Sequence, residues 1–324
     1  MDLLLDDRLR VGFIGGYGSR EAARRGAALA RRCGYDSLWV GDHVAFALPV
    51  LDPLLQLAQL AAFSDDLALG TSVYLLPLRH PVLVAKQVAT LDQLCDGRLV
   101  FGVGVGGEFP AEYAACEVPV AERGARLEAA IPLVRALVRG EKAGGDGRFF
   151  RFPETQLAPP ARRPGGPPIW CGGRAPAALD RMGRLTDGWI SYVVTPERYA
   201  EGLARIAASA ARAGRSGARF GTAHLLFTWI DDDDGRALEA ATAHLSQRYA
   251  MDFRKAAQRY AALGRPADVA ARVDAFWRAG VRHLILDPTG PAAGRDEQLE
   301  RFAAEVRPLL GAAARPSEPS PRAR

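Results

Sequence analysis

Cysteine is scarce and scattered in this chain. Cys33, Cys95, Cys116 and Cys171 are the four in 324 residues, and no two of them form a Cys-x-x-Cys pair. That spacing makes neither a thiolate zinc site nor an obvious disulfide framework, and it suits a reducing cytosol. The five histidines show no metal-ligand spacing to one another, so a metallohydrolase is unsupported and no metal is expected. No apolar stretch reaches bilayer-spanning length, and the acidic start lacks the basic and apolar regions of a signal peptide. A cytoplasmic protein without a membrane partner is therefore expected. Blocks of Lys and Arg are missing too. The net charge of +5 is spread along the chain, which argues against a nucleic-acid partner and at most for acidic small ligands. There is no Gly-x-Ser-x-Gly elbow and no Gly-x4-Gly-Lys-Ser/Thr loop.

What is present is an alternation. Apolar runs that read as strands fall at 10–14, 36–40, 67–76, 99–105, 168–171, 188–192, 219–230 and 282–286. Helical patterns follow them at 21–32, with Ser19 as N-cap, and at 53–63, 81–95, 123–139, 175–185, 196–213, 266–279 and 296–310. Two further helical pieces fit within 235–264, with Asp231–Asp234 capping the first. The stretch 140–168 is rich in Gly, Pro and Arg and reads as a loop excursion near the active-site end. Eight strands each followed by a helix is the count of an α/β (β/α)8 TIM barrel. Residues 1–310 are expected to form that single domain, with insertions around 141–167 and 235–264, and 311–324 a disordered tail.

In a barrel, chemistry collects just after each strand. Asp42 and His43 follow the second strand, in the run Ser37-Leu38-Trp39-Val40-Gly41. Either they cap the next helix, or the imidazole moves a proton with the carboxylate setting its charge and orientation. After the fourth strand come Gly102-Val103-Gly104-Val105-Gly106-Gly107-Glu108. The alternating glycines lie within the strand, and Phe109-Pro110 follows instead of a helix, so this is no dinucleotide fingerprint. Gly102 and Gly104 suggest a close approach inside the barrel by a flat ring or a neighbouring backbone. Gly106 and Gly107 free backbone N–H groups, and Glu108 adds a carboxylate at the mouth or is a solvated turn residue. After the fifth strand, Gly172, Gly173, Arg174, Ala175 and Pro176 open a helix and form a candidate anion site. His80, before Pro81, reads as a helix-start residue. Phe46 and Trp229 line an apolar substrate wall or belong to the core.

With these residues in place, the chain resembles the luciferase-like monooxygenase superfamily, and within it the coenzyme F420-dependent oxidoreductases. The segments LWVGDH, LGTSVYLLPLRHPVLVAKQVATLDQLCDGRLVFGVGVGGEFPAEY, PPIWCGGRAPAALDRMGRLTDGWI and GRPADVAARVDAFWRAGVRHLILDP carry the likeness, in order. The resemblance implies a non-proline cis peptide at Ser72–Val73, behind a flavin-like ring. It implies cofactor contacts from Asp42, Ser72, Val73, Gly172, Gly173, Ala175 and Pro176, beside which Gly106, Gly107 and Arg174 are expected to bind the cofactor on the reading above, and catalytic roles for His43 and Glu108. The implied activity is hydride transfer between F420 and a small organic substrate, with His43 assisting the proton. No lysine stands where a sugar phosphate would need one. The alternatives are an FMN-dependent monooxygenase using reduced flavin and oxygen, and a non-catalytic flavin-binding barrel. A homodimer packed through the early helices is expected by analogy.

Overall fold

The eight expected strands close on themselves. In the computed structural model, which describes residues 3–46, 48–107 and 109–311, they are β1 (Arg10–Ile14), β2 (Ser37–Val40), β3 (Ala68–Thr71), β4 (Leu99–Gly104), β5 (Ile169–Gly172), β6 (Gly188–Tyr192), β7 (Gly221–Ile230) and β8 (His283–Pro288). Each pairs in parallel with the next, and β8 pairs with β1, so no edge stays open. Around them run α1 (Arg20–Arg32), α2 (Pro53–Ala61), α3 (Pro81–Leu94), α4 (Pro110–Ala115), α5 (Arg123–Val138) and α6 (Pro176–Leu185). The ring continues with α7 (Pro196–Arg212), α8 (Asp234–Tyr249), α9 (Arg254–Tyr260), α10 (Pro266–Arg278) and α11 (Arg295–Arg301). This is the (β/α)8 barrel that the alternation predicts.

Both faces of a barrel strand are covered, which is why these strands read as unbroken apolar runs; β4 is buried at all its positions. Six helices open on proline, whose missing N–H costs nothing in the first turn. Ser19 caps α1 by accepting the Ala22 N–H, and Asp233 caps α8 by accepting that of Arg236.

The N-terminal end of the barrel is plugged. Trp39 and Trp170 stack with ring centroids 5.8 Å apart, and His283 meets both edge-on. Their bulk needs glycines opposite. A Cβ on Gly70 would lie 2.3 Å from the Trp39 ring, and on Gly188 or Gly221 2.4 or 2.2 Å from that of Trp170. Ser37 Oγ ties the plug together, accepting from Trp39 Nε1 at 2.8 Å and pairing with His283 Nε2 at 2.7 Å. Only the C-terminal end of the strands is left for chemistry.

Several boundaries differ from expectation. The third strand is not continuous: it stops at Thr71, passes the cis peptide Ser72–Val73, and resumes as a short strand Tyr74–Leu75 beside β4. Residues 140–168 are not a plain loop, because Ala143–Asp146 and Arg151–Thr155 pair as an antiparallel hairpin. Its aromatic tip packs on the outside of the barrel, with Phe150 and Phe152 against His80 and the Arg126 guanidinium over Phe150. Ala262–Gly264 adds an unforeseen strand beside the end of β7. The last helix is α-helical only to Arg301, then widens over Phe302–Val306 and tightens over Arg307–Leu309, where Pro308 has no N–H to give. Finally, a helix does follow Phe109: Pro110 is the first residue of α4. Glu108 and the expected tail from 312 onward lie outside the described residues.

Two rings make this fold sensitive to acid. His224 is stacked on Phe276 and bonded to Ser191 Oγ, His283 sits in the plug, and burial pushes both down to about 3. The unfolded chain protonates them near pH 6.5. Their full stabilisation is therefore present above pH 6.5 and is lost progressively as pH falls toward 3. At pH 5 each ring is expected to lower the unfolding free energy by about 2 kcal/mol relative to neutral pH. Denaturant titrations at pH 7 and pH 5 check this: His283→Gln removes one ring's share, and an unchanged pH dependence contradicts the neutral assignment.

Candidate active site

Adjacent in sequence, Asp42 and His43 are bound by different loops. The Asp42 side chain is fully buried and accepts the Leu75 N–H at 2.7 Å. Arg79 forks onto it, Nη2 to Oδ1 at 2.9 Å and Nη1 to Oδ2 at 2.5 Å, while lying 4.2 Å above the Tyr74 ring. Burial pushes the Asp42 carboxyl above its ordinary value, opposed by Arg79 and the Leu75 N–H. Burial also works against the Arg79 charge, but the Asp42 carboxylate holds that guanidinium above its usual range. Two forked donors and a backbone N–H are the partners of an ionised carboxylate. Asp42 therefore clamps the end of β2 to the switchback after β3. It does not orient His43, as its position next to the ring suggested.

Glu112 does that instead. It comes from the first turn of α4, is 1% exposed, and its Oε2 lies 3.1 Å from His43 Nδ1. Its Oε1 accepts the Val44 N–H at 2.6 Å and the Ala45 N–H at 3.2 Å. A carboxylate already accepting two N–H groups is an acceptor to the ring as well, so Nδ1 carries the proton and donates. Nε2 has no hydrogen-bond partner among the described residues. Phe46 stacks flat on the imidazole at 4.0 Å, and Phe109 meets both rings edge-on. The His43 side chain keeps 27% of its surface exposed. The arrangement is an imidazole fixed on one side by a buried carboxyl group and open on the other, a geometry that can take up or release a proton.

The floor beside it is built by close approach. A Cβ on Gly102 would lie 1.9 Å from Thr71 O, and one on Gly104 2.3 Å from Val73 Cγ2. The glycines of β4 thus admit a neighbouring backbone at 102 and the Val73 side chain at 104. Gly172 of β5 borders the same valine, 3.1 Å from its Cγ1 by the same measure. Ser72 is anchored by its N–H to Val40 O at 2.7 Å. Gly106 and Gly107 both have positive φ, 54° and 102°, which carries the chain from β4 toward α4.

On the β5 side, Trp189 Nε1 donates to Gly173 O at 2.8 Å and holds the loop in place. Arg174 is exposed, over the Tyr192 ring at 5.2 Å, and Ala175 is the N-cap of α6 with no side-chain cap. First-turn N–H groups without a side-chain partner, beside an exposed guanidinium, can hold a phosphate. Trp229 is different: only 8% exposed, its ring packs under Gly290 and Gly294 of the loop after β8. It belongs to the packing of that loop. Among the described residues no cluster of three His, Cys, Asp or Glu side chains could hold a metal ion.

Comparison with known proteins identifies the family. Residues 9–306 match the family model of the luciferase-like monooxygenases. The chain belongs to the luciferase-like monooxygenase family. It is an enzyme of that family, which removes the alternative of a non-catalytic barrel. The F420-dependent glucose-6-phosphate dehydrogenase of Beutenbergia cavernae is 31% identical over 314 residues, covering 88% of this chain and 91% of that protein. The oxygenase component of the flavin-dependent trigonelline monooxygenase of Acinetobacter baylyi is 32% identical over 150 residues, 46% of this chain and 41% of that protein. An F420-dependent secondary alcohol dehydrogenase, solved in complex with an F420-acetone adduct, superposes with a TM-score of 0.82 at 18% identity, covering 94% of this chain and 100% of that one. That superposition shows the shared luciferase-like barrel.

The Asp42–Arg79 clamp is open to a direct check. Asp42→Ala leaves the Arg79 guanidinium with only the Leu75 carbonyl at 3.2 Å and the Asp52 carboxylate at 4.0 Å, and is expected to lower stability by about 3 kcal/mol. In an Arg79→Met background the same change is expected to cost clearly less, because no charge is orphaned. Equal costs in the two backgrounds, measured by denaturant unfolding, would show that the pair does not act as a unit.

Proposed function

We propose that this enzyme is an F420-dependent oxidoreductase in which His43 handles the proton that accompanies hydride transfer. The observation that carries this reading is the His43–Glu112 pair, with Nδ1 engaged and Nε2 free beside the glycine-cleared floor. Glu112 keeps the ring in one tautomer and one orientation, leaving Nε2 as the atom that takes or gives the proton. Phe46 and Phe109 fix the plane of the imidazole and keep water from that side.

The residues fit a deazaflavin cofactor. Val73 presents an apolar surface bordered by Gly104 and Gly172, suited to the back of a flat ring. The uncapped first turn of α6, with Gly172, Gly173, Arg174, Ala175 and Pro176, suits the phosphate of its tail. When bound, such a cofactor supplies two-electron hydride chemistry, and the protein supplies position and charge. The substrate is then an alcohol or hemiacetal oxidised by F420, or an activated C=C or C=N group reduced by its dihydro form. An FMN-dependent monooxygenase is the second reading, favoured by the likeness to the trigonelline enzyme.

Fluorescence titrations with F420 and with FMN separate the two. F420 is expected to bind and FMN to bind at least 10-fold more weakly, a gap of about 1.4 kcal/mol. Tight FMN binding without F420 binding would sink the proposal. In F420-linked turnover, His43→Ala is expected to lose about 100-fold in kcat, and Glu112→Gln about 10-fold with KM unchanged. Turnover untouched by His43→Ala contradicts the proton-transfer role.

The four cysteines are unpaired, which supports a reducing compartment. No described helix is long and apolar enough to cross a membrane. Leu51, Leu55 and Leu83 are 50%, 72% and 67% exposed around α2 and α3, and we propose this face as the contact of a homodimer. Sedimentation of Leu55→Glu with Leu83→Glu is expected to show monomers where the parent chain shows dimers; the same mass for both excludes this face.

A further inference from the structure

The mouth of the barrel contains a charged cluster that proton transfer does not use. Asp287 lies at the end of β8. Alternate residues of a strand share a face, so it continues the inward row of His283 and Ile285, both of which pack inside the barrel with Trp39 or its neighbours. This carboxylate is 3% exposed. Arg248 of α8 donates Nη1 to its Oδ2 at 2.6 Å, and Arg295, the first residue of α11, donates Nη1 to its Oδ1 at 3.2 Å. Burial works against the Asp287 charge, yet the two guanidinium groups hold its carboxyl below its ordinary range.

Both arginines are anchored. Arg295 also donates to Pro288 O at 3.1 Å and to Ile14 O at the end of β1. Arg248 Nη2 donates to His244 Nε2 at 2.8 Å, and burial pushes that imidazole down, so it stays neutral and accepting. The acids next in sequence to Arg295, Asp296 and Glu297, are exposed on the first turn of α11. Two guanidinium groups against one buried carboxylate leave an excess of one positive charge. Their side chains remain 23% and 26% exposed.

A charge excess among partly buried groups is costly until an anion meets it, and guanidinium groups match a carboxylate or a phosphate. We propose that Arg248 and Arg295 bind an oxyanion of the substrate at the β8 wall, leaving its reacting end toward His43 beyond β2. Asp287 holds both forks in place before the substrate arrives. The inference rests on the mouth being the reaction site but is independent of which cofactor works there.

The test is calorimetric titration of the full chain, without cofactor or turnover, using inorganic phosphate in one arm and succinate in the other at low salt. The stronger of the two names the oxyanion. Arg295→Gln is expected to weaken binding at least 10-fold, with Arg295→Lys recovering part of it. Asp287→Asn, nearly the same shape, removes the competing charge and is expected to bind about 10-fold more tightly. Arg174→Ala, on the other phosphate candidate, is expected to remove at most a separate phosphate event at the α6 turn and to leave in place the event that Arg295→Gln weakens. Loss of that event in Arg174→Ala, or wild-type titrations in Arg295→Gln, would overturn the proposal even if F420 binds. Should Asp287→Asn fail to fold, the Arg295 pair of variants decides alone.

Discussion

The Glu112 carboxylate is the constraint on which the mouth of this barrel depends. It is buried and fully engaged, accepting from His43 Nδ1 and from the Val44 and Ala45 N–H groups. Those three donors belong to the segment after β2, while Glu112 itself rides on α4 after β4. One side chain therefore joins two loops that the barrel brings together across β3. Removing it would leave two backbone N–H groups and a ring nitrogen without an acceptor, at about 1–3 kcal/mol for each group left buried. The same contact that stabilises the loops also sets the tautomer of His43, so in the proposed reaction stability and proton chemistry would share one physical cause.

The rest of the molecule makes that contact useful by being closed elsewhere. Two tryptophans, their facing glycines and the neutral His283 seal the N-terminal end. At the other end, four polar features stand on different strands: His43 beyond β2, the glycine floor on β4, the uncapped α6 turn beyond β5 and the Arg248–Asp287–Arg295 group at β8. Their separation around the ring is what the proposed cofactor ring, its phosphate tail and the substrate would need to sit on distinct walls. Asp42 serves this layout indirectly. Clamped by Arg79, it secures the switchback that places Val73.

Much of the barrel was legible in the sequence because parallel strands buried on both faces leave unbroken apolar runs, and because prolines and caps mark most helix starts. The breaks were harder. The run 67–76 is apolar apart from Gly70, Thr71 and Ser72, small residues that strands also carry, so they do not by themselves mark an interruption after Thr71; only the likeness to the family pointed to Ser72–Val73. The hairpin within 140–168 is Gly-rich and exposed on one side, which periodicity cannot distinguish from a loop. Asp42 and His43 were visible as a pair, yet their partners were not. Pro110-Ala-Glu112 carried a usable signal, proline at the first helical position with an acid two residues on. It reads as an exposed first-turn acid until tertiary structure buries it. Arg79, Arg248 and Arg295 looked like ordinary surface cations for the same reason: charge pairing across elements leaves no trace in local pattern.

The central claim is that His43, held by Glu112, faces a deazaflavin bound against Val73. A crystal structure of the protein soaked with F420 tests it most directly. The account predicts the ring lying against Val73 between Gly104 and Gly172, its phosphate on the first turn of α6, and His43 Nε2 facing the ring while Nδ1 stays on Glu112. A ring seated elsewhere in the barrel, or His43 turned away from it with Glu112 released, would contradict it.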